Sequence, residues 1–180
     1  MDTRELIAQI IGIVAMVFII FSYQGKKQSS VITMQLVGSL FFGVNYLMLG
    51  AYVGALLNVM GVVRAVVFLF KEKLRADKWP WLVGFSLCYV ATYVLNFTVL
   101  GKAPTVFNLL IELLPVVGMV ALNIGYMLKD AADVRKCGLV SSPAWLIYNI
   151  VIGSWGAILC EVFSLVSIVV GIWRLDRKKK

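Results

Sequence analysis

Apolar residues in this sequence come in runs that approach or exceed the roughly 20 residues a helix needs to cross about 30 Å of hydrocarbon. The runs recur along all 180 residues, interrupted only by short clusters of charge or by Gly and Pro. An isolated strand cannot satisfy its backbone in lipid, so the runs are read as helices. Apolar residues make up 61% of the chain and charged residues 14%, about half the roughly 25% of a soluble domain, so the solvent this chain requires is lipid.

The net charge of +8 raises the question of nucleic acid. The basic residues are dispersed among short loops and the C-terminal segment rather than gathered on one face, which points to a membrane surface and to no nucleic-acid partner. Cys88, Cys137 and Cys160 are widely separated, lack Cys-x-x-Cys spacing and have no histidine to assist them, so free thiols are expected, with no metal and no cofactor. Met1 to Glu5 lacks a clear basic stretch, and the first apolar run ends in Gln24-Gly25-Lys26-Lys27 rather than at small residues. It is read as a retained first helix and not as a secretory signal.

Charge clusters and Gly/Pro punctuation divide the chain into helices near 6–25, 30–49, 52–70, 81–99, 105–128, 136–153 and 156–173. The connections at Gly50-Ala51-Tyr52 and Gly153-Ser154-Trp155 are short and uncharged, which calls for tight helical hairpins. Lys26, Lys27, Lys71, Lys73, Arg75, Lys78, Lys129, Arg135, Lys136 and the segment from Arg174 to Lys180 fall on one side of this arrangement, leaving Arg4 and Lys102 on the other. Positive charge marks the cytoplasmic side, so the N-terminus is expected outside (periplasmic in a bacterial inner membrane) and the C-terminus inside.

Sliding the chain along itself by 103 positions lays the first three helices over the last three without a gap. Tyr23 then meets Tyr126, Lys26 meets Lys129, Ser39 meets Ser142 and Gly50 meets Gly153, while Gln9 falls on Glu112 and Asn58 on Glu161. Chance coincidence among aliphatic residues is the bland alternative, and the matched turn glycine and basic loop argue against it. The fold class expected is an all-α integral membrane protein of seven transmembrane helices. Two parallel three-helix repeats, residues 1–73 and 104–180, are joined by a linker helix within 74–103. Transporters use parallel repeats of this kind to build a site between the halves.

Polar side chains inside the spans are the functional candidates, since an Asp, Lys or Arg at a helix centre costs about 2.5–3.5 kcal/mol on insertion scales. Glu112, Glu161, Asn58 and Gln9 lie at similar depth below the outer surface, and Asn45, Tyr46, Tyr148 and Asn149 approach that level on the returning helices. They are expected to meet in one polar cavity opening outward. A carboxyl there can exchange a proton, which makes Glu161 and Glu112 candidates for coupling to a gradient. The alternative is a side chain that merely bonds a neighbouring helix. Pro115, three residues after Glu112, frees a backbone carbonyl for the cavity or simply kinks the helix. Arg64 is expected to snorkel towards the cytoplasmic headgroups. Gly38, Gly43, Gly50, Gly54 and Gly61 read as helix-contact surfaces, and Trp79-Pro80-Trp81 as an interfacial anchor.

The layout resembles the SWEET and PQ-loop group of small transporters, and Asn58-Val59-Met60-Gly61 is similar to that group's Asn-x-x-Gly signature. A closer likeness, over nearly the whole chain, is to the YgjV-type bacterial inner-membrane family. It rests on Glu112-Leu113-Leu114-Pro115-Val116-Val117-Gly118, Trp145-Leu146-Ile147-Tyr148-Asn149, Gly153-Ser154, Glu161 and Ile172-Trp173-Arg174. The SWEET resemblance implies a substrate pocket lined by Asn58 with Phe42 and, in the second half, Glu161 with Trp145. The Glu in place of a second Asn, the Phe in place of a more usual Trp and the absent Pro-Gln pair leave the substrate unspecified.

Three classes of function follow. A small-solute transporter working by alternating access at a site near Asn58 and Glu161 is the first. A non-transporting receptor, assembly factor or lipid-binding scaffold is the second, with membrane lipid as partner in either case and a homo-oligomer compatible with both. A polar cavity bounded by Phe42, Asn58, Trp145 and Glu161 discriminates the first from apolar packing expected of the second. An enzyme is the weakest reading, because the chain has no histidine, no metal-ligand cluster and no glycine-rich phosphate loop.

Overall fold

The computed structural model describes residues 3–50, 52–152 and 155–176, and among them every regular element is helical. Eight α-helices are present: α1 (Thr3–Ser22), α2 (Gln28–Met48), α3 (Tyr52–Leu69), α4 (Lys71–Leu74), α5 (Trp79–Thr98), α6 (Val106–Met127), α7 (Ala131–Ile152) and α8 (Trp155–Gly171). A π-helical turn, Ile172–Asp176, continues α8. Helices α1, α2, α5, α6 and the stretch Trp155–Asp176 are long and apolar enough to cross a membrane; α3 offers only the shorter apolar segment Gly54–Leu69. Helix α7 carries Asp133, Arg135 and Lys136 in its first two turns, which removes it from the apolar set.

Several boundaries differ from those expected. Helix α7 begins at Ala131, five residues before 136. The four-residue α4 was not anticipated at all, because Lys71-Glu72-Lys73-Leu74 carries no periodicity long enough to read. At the α2–α3 connection Gly50 has φ +74, a left-handed conformation that lets the chain reverse within a few residues. The matching connection at Gly153-Ser154 lies outside the described residues.

Helix α2 packs on α1 and α3, and α7 packs on α6 and α8. The triplets α1–α3 and α6–α8 meet along α1–α8, α3–α6 and α2–α7, while α5 packs on α3 and α6 from outside. The helix starts Gln28 and Ala131 are 103 residues apart (131 − 28 = 103), the spacing that relates the two triplets. Large apolar side chains such as Leu6, Ile10, Phe21, Leu87, Val106, Leu110 and Val169 are exposed, whereas Gln35, Asn45, Asn123, Ser141, Ser142 and Asn149 are buried. That inverted distribution suits a lipid surround, where a polar side chain must turn inward to find a partner.

The triplets hold one another through backbone carbonyls. Arg64 Nη1 on α3 donates to Met119 O on α6 at 3.0 Å, and Ser167 Oγ on α8 donates to Ile20 O on α1 at 2.6 Å. Residues 64 and 167 are again 103 apart, so the third helix of each triplet donates to the first helix of the other. At the basic end the pattern repeats. Arg135 Nη1 on α7 donates to Tyr23 O and Gly25 O at 3.2 and 2.9 Å, at the end of α1. The corresponding carbonyls, Tyr126 O and Leu128 O at the end of α6, accept from Lys71 Nζ and from Gln28 Nε2. Cations at helix C-termini also complement the helix dipole, which places partial negative charge there. Arg135 is only 2% exposed and also pairs with Asp176, its Nη2 lying 2.5 Å from Oδ1.

Replacing Arg135 by Gln therefore removes a buried ion pair and both α1 caps. The expected loss is about 3–5 kcal/mol of stability. Lys136→Gln, which breaks an exposed pair with Asp133, is expected to cost less than about 1 kcal/mol. Thermal unfolding of the two purified variants in the same detergent measures the contrast; equal losses would remove Arg135 from its role in joining the triplets.

Candidate functional site

Helices lining an axis must supply whatever chemistry a membrane protein of this size performs within the bilayer, because the outward-facing side chains of its helices are largely apolar. Between the triplets lies a cavity of about 80 Å³ lined by sixteen residues. Ten of them form five pairs 103 residues apart: Ile19 with Leu122, Tyr23 with Tyr126, Ser39 with Ser142, Phe42 with Trp145, and Asn58 with Glu161. The cavity therefore follows the shared register of the two triplets. Its remaining lining includes Gln35, Tyr46, Arg64 and Ser141, so aromatic rings alternate with polar groups along its length.

Several of the polar groups are held in place. Asn58 Nδ2 donates to Gly54 O one turn back at 2.8 Å, which fixes the amide against its own helix. Glu161 on α8 and Ser142 on α7 both line the cavity. Gln35 is almost fully buried, donates to Ser22 Oγ at 3.1 Å and accepts from the Tyr126 hydroxyl. Gly118 on α6 gives the Trp145 indole its seat, since a Cβ there would stand 2.9 Å from indole Cδ1. At the end of the cavity away from the basic loops, Tyr46 Oη donates to Asn149 Oδ1 at 3.3 Å, and these two residues are also 103 apart. A residue touching its own counterpart marks the meeting line of the triplets, here between α2 and α7.

Of the residues singled out from the sequence, Phe42, Asn58, Trp145 and Glu161 line this one cavity together with Tyr46. The others lie elsewhere. Asn45 turns to α1, donating from Nδ2 to Ala8 O at 2.7 Å beside Gly12. Asn149 is outside the lining and serves as acceptor for Tyr46. Gln9 faces Gly156 of α8, and Pro115 is buried within α6 without reaching the cavity. Glu112 is paired with Lys102 of the α5–α6 connection at 2.5 Å, so its charge is met by the lysine and it does not join Glu161. The buried Tyr46–Asn149 bond lies toward the end where the cavity is expected to open outward.

Arg64 departs furthest from expectation. Its side chain does not run to the headgroups: it is 3% exposed, lines the cavity and stacks its guanidinium 4.7 Å from the centre of the Tyr126 ring. Its Nε has no hydrogen-bond partner among the described residues. A buried cation with a spare donor is held here by a carbonyl and an aromatic face, which cost less than leaving it in hydrocarbon. No sequence pattern announces a carbonyl acceptor on another helix. The repeat match of Tyr23 and Tyr126 was the one available sign that this level of the bundle is a lined surface.

The described residues contain no group of three or more His, Cys, Asp or Glu placed to hold a metal ion. The family model Imp-YgjV, described as bacterial inner membrane protein, matches residues 6–179. Neither the curated proteins nor the solved structures give a match.

Gln35→Leu removes the shared hydrogen-bond partner of the buried Ser22 and Tyr126 hydroxyls. The expected cost is about 1–3 kcal/mol. A thermal-unfolding series with Gln35→Leu, Tyr126→Phe and the double variant checks it: the double variant should lose clearly less than the two single losses added together.

Proposed function

We propose that this chain, which belongs to the Imp-YgjV family of bacterial inner membrane proteins, is a small-solute transporter of 3+1+3 architecture like that of the SWEET and PQ-loop group. The triplets α1–α3 and α6–α8 are its two parallel repeats, α5 is the linker, and α3 and α7 cross the membrane with the five more apolar helices. The observation that carries this reading is the polar cavity between the triplets, lined by Phe42, Asn58, Trp145 and Glu161 at paired positions. Apolar packing along the same line would have favoured a scaffold.

The cavity volume of about 80 Å³ holds several water molecules, where one needs roughly 10–15 Å³. Typical ligand pockets are larger, roughly 300–1,000 Å³. A solute of any size therefore needs the triplets to part, and the bonds between them suit that motion. The Tyr46–Asn149 bond ties α2 to α7 at one end, and the caps from Arg135, Lys71 and Gln28 tie the triplets at the other. Alternating access follows when one set opens while the other stays made. Glu161 supplies the exchangeable proton, and Arg64, with its spare Nε donor, supplies a contact for an acceptor group on the solute. The side carrying the basic loops is the cytoplasmic one.

The same small volume supports a second reading, a non-transporting receptor, assembly or lipid-binding scaffold protein whose cavity holds only water. Uptake profiling of a deletion strain against amino acids, sugars, vitamins and cations, followed by assay of the responding solute in proteoliposomes, separates the two. Asn58→Ala is expected to lower uptake at least about tenfold, the loss of about 1.4 kcal/mol of site interaction. Glu161→Gln is expected to abolish dependence on the proton gradient, while Glu112→Gln leaves it. No response from any solute, or full coupling in Glu161→Gln, would favour the scaffold.

A further inference from the structure

Two grooves open at the basic end of the bundle, one beside each triplet. The larger, about 920 Å³, lies where α2, α3 and α4 meet and includes Lys129; the smaller, about 500 Å³, lies between the start of α7 and the π-helical turn after α8 and includes Lys26. Each of the seven residues lining the smaller groove sits 103 positions from a residue lining the larger one, for example Lys26 and Lys129, Arg174 and Lys71, Asp176 and Lys73. The two are one feature built twice with different side chains.

The difference is electrostatic. In the smaller groove the Asp176 carboxylate accepts from Arg135 Nε at 3.1 Å and Nη2 at 2.5 Å, so that groove contains its own anion. In the larger groove the position of Asp176 is taken by Lys73, and Lys71, Arg75, Lys78 and Lys129 join it against only Glu72 and Asp77. Asp77 is engaged with Lys78 at 3.7 Å. Three positive charges remain in excess (5 − 2 = 3) in a recess half walled by protein. Arg75 is held at φ +52, a left-handed backbone that a non-glycine residue rarely adopts. Burial, with Lys129 adding to it and Asp77 and Asp133 opposing it, draws the Lys71 ammonium below its ordinary value.

We propose that the larger groove binds the phosphate of an anionic phospholipid headgroup, which occupies the place that the Asp176 carboxylate fills in its counterpart. A lipid is the occupant rather than a free anion because the rim is apolar: Phe70 is 58% exposed, Leu74 40% and Trp79 69%, giving acyl chains a surface next to the cations. Basic recesses between helices at the membrane surface hold anionic headgroups in this way, at roughly 1 kcal/mol for each Lys or Arg near the surface. The site is independent of whether the chain transports.

The test is native mass spectrometry of the full chain in neutral detergent, titrated with phosphatidylglycerol, with phosphatidylcholine, and with phosphatidylglycerol in the presence of millimolar inorganic phosphate. One variant carries Lys73→Gln, Arg75→Gln and Lys78→Gln, sparing Lys71 because it caps α6; a second carries only Lys73→Asp, which copies the counterpart groove. A control of equal charge change carries Lys26→Gln, Lys27→Gln and Lys136→Gln. Phosphatidylglycerol is expected to bind the wild type and control alike, ten- to a hundredfold more weakly to the triple variant, and to be undetectable on Lys73→Asp, with phosphatidylcholine unbound throughout. Equal loss in the control, undiminished binding in either groove variant, or displacement of the lipid by inorganic phosphate would overturn the proposal.

Discussion

A carbonyl or a charge placed in hydrocarbon has nothing to bond except the protein itself. The arrangement of this chain answers that constraint at each level. Arg64, Arg135, Ser167, Gln28 and Lys71 all end on main-chain carbonyls, and in each case the carbonyl belongs to the opposite triplet. The contacts that satisfy polar groups are thus the same contacts that join the two triplets. Aliphatic side chains add little preference for one helix neighbour over lipid, so these polar bonds together with close packing decide which helices meet. Gly118 under Trp145 and Gly54 under the Tyr46 ring are examples of the latter, each with no room for a Cβ.

The shared register is accompanied by unequal chemistry. Asn58 corresponds to Glu161, Phe42 to Trp145, Arg64 to Ser167 and Lys73 to Asp176, so each of these backbone positions is used twice with different side chains. Helix α5, which has no counterpart, packs on both α3 and α6 on one flank, where those two meet less extensively than α1 and α8 do on the other. A polar lining with a carboxyl on one side and an amide on the other gives any bound solute a preferred orientation.

Much of this was legible in the residues. The seven long apolar or near-apolar segments and the 103-residue register follow from patterns that period and spacing carry, whereas the grouping of Phe42, Asn58, Trp145 and Glu161 is what the resemblance to the SWEET group implies, and the four line one cavity. What was not legible depends on backbone acceptors and on side-chain direction. The inward course of Arg64 and the burial of Arg135 hinge on the carbonyls of Met119, Tyr23 and Gly25, and a carbonyl has no signature in sequence. Asn45 and Asn149 were misassigned to the lining because depth along a helix was readable and azimuth was not: Asn45 points to Ala8, and Asn149 to Tyr46. Glu112 was weighed as a proton carrier because Lys102, ten residues earlier in a loop, gave no sign that it reaches down to the carboxyl.

In the proposed transport cycle the two triplets move against each other about the polar cavity, with the Tyr46–Asn149 bond and the Arg135 caps as alternating ties. Distances between spin labels in lipid nanodiscs test it directly, with one pair at Leu47 and Ile150 and another at Lys27 and Asp130, each pair 103 residues apart at opposite ends of α2 and α7. In Tyr46→Phe the Leu47–Ile150 distance should lengthen while the Lys27–Asp130 distance stays or shortens, and Arg135→Gln should do the reverse. Unchanged, narrow distributions for both pairs in both variants would contradict the account and leave the cavity as a fixed feature of a rigid scaffold.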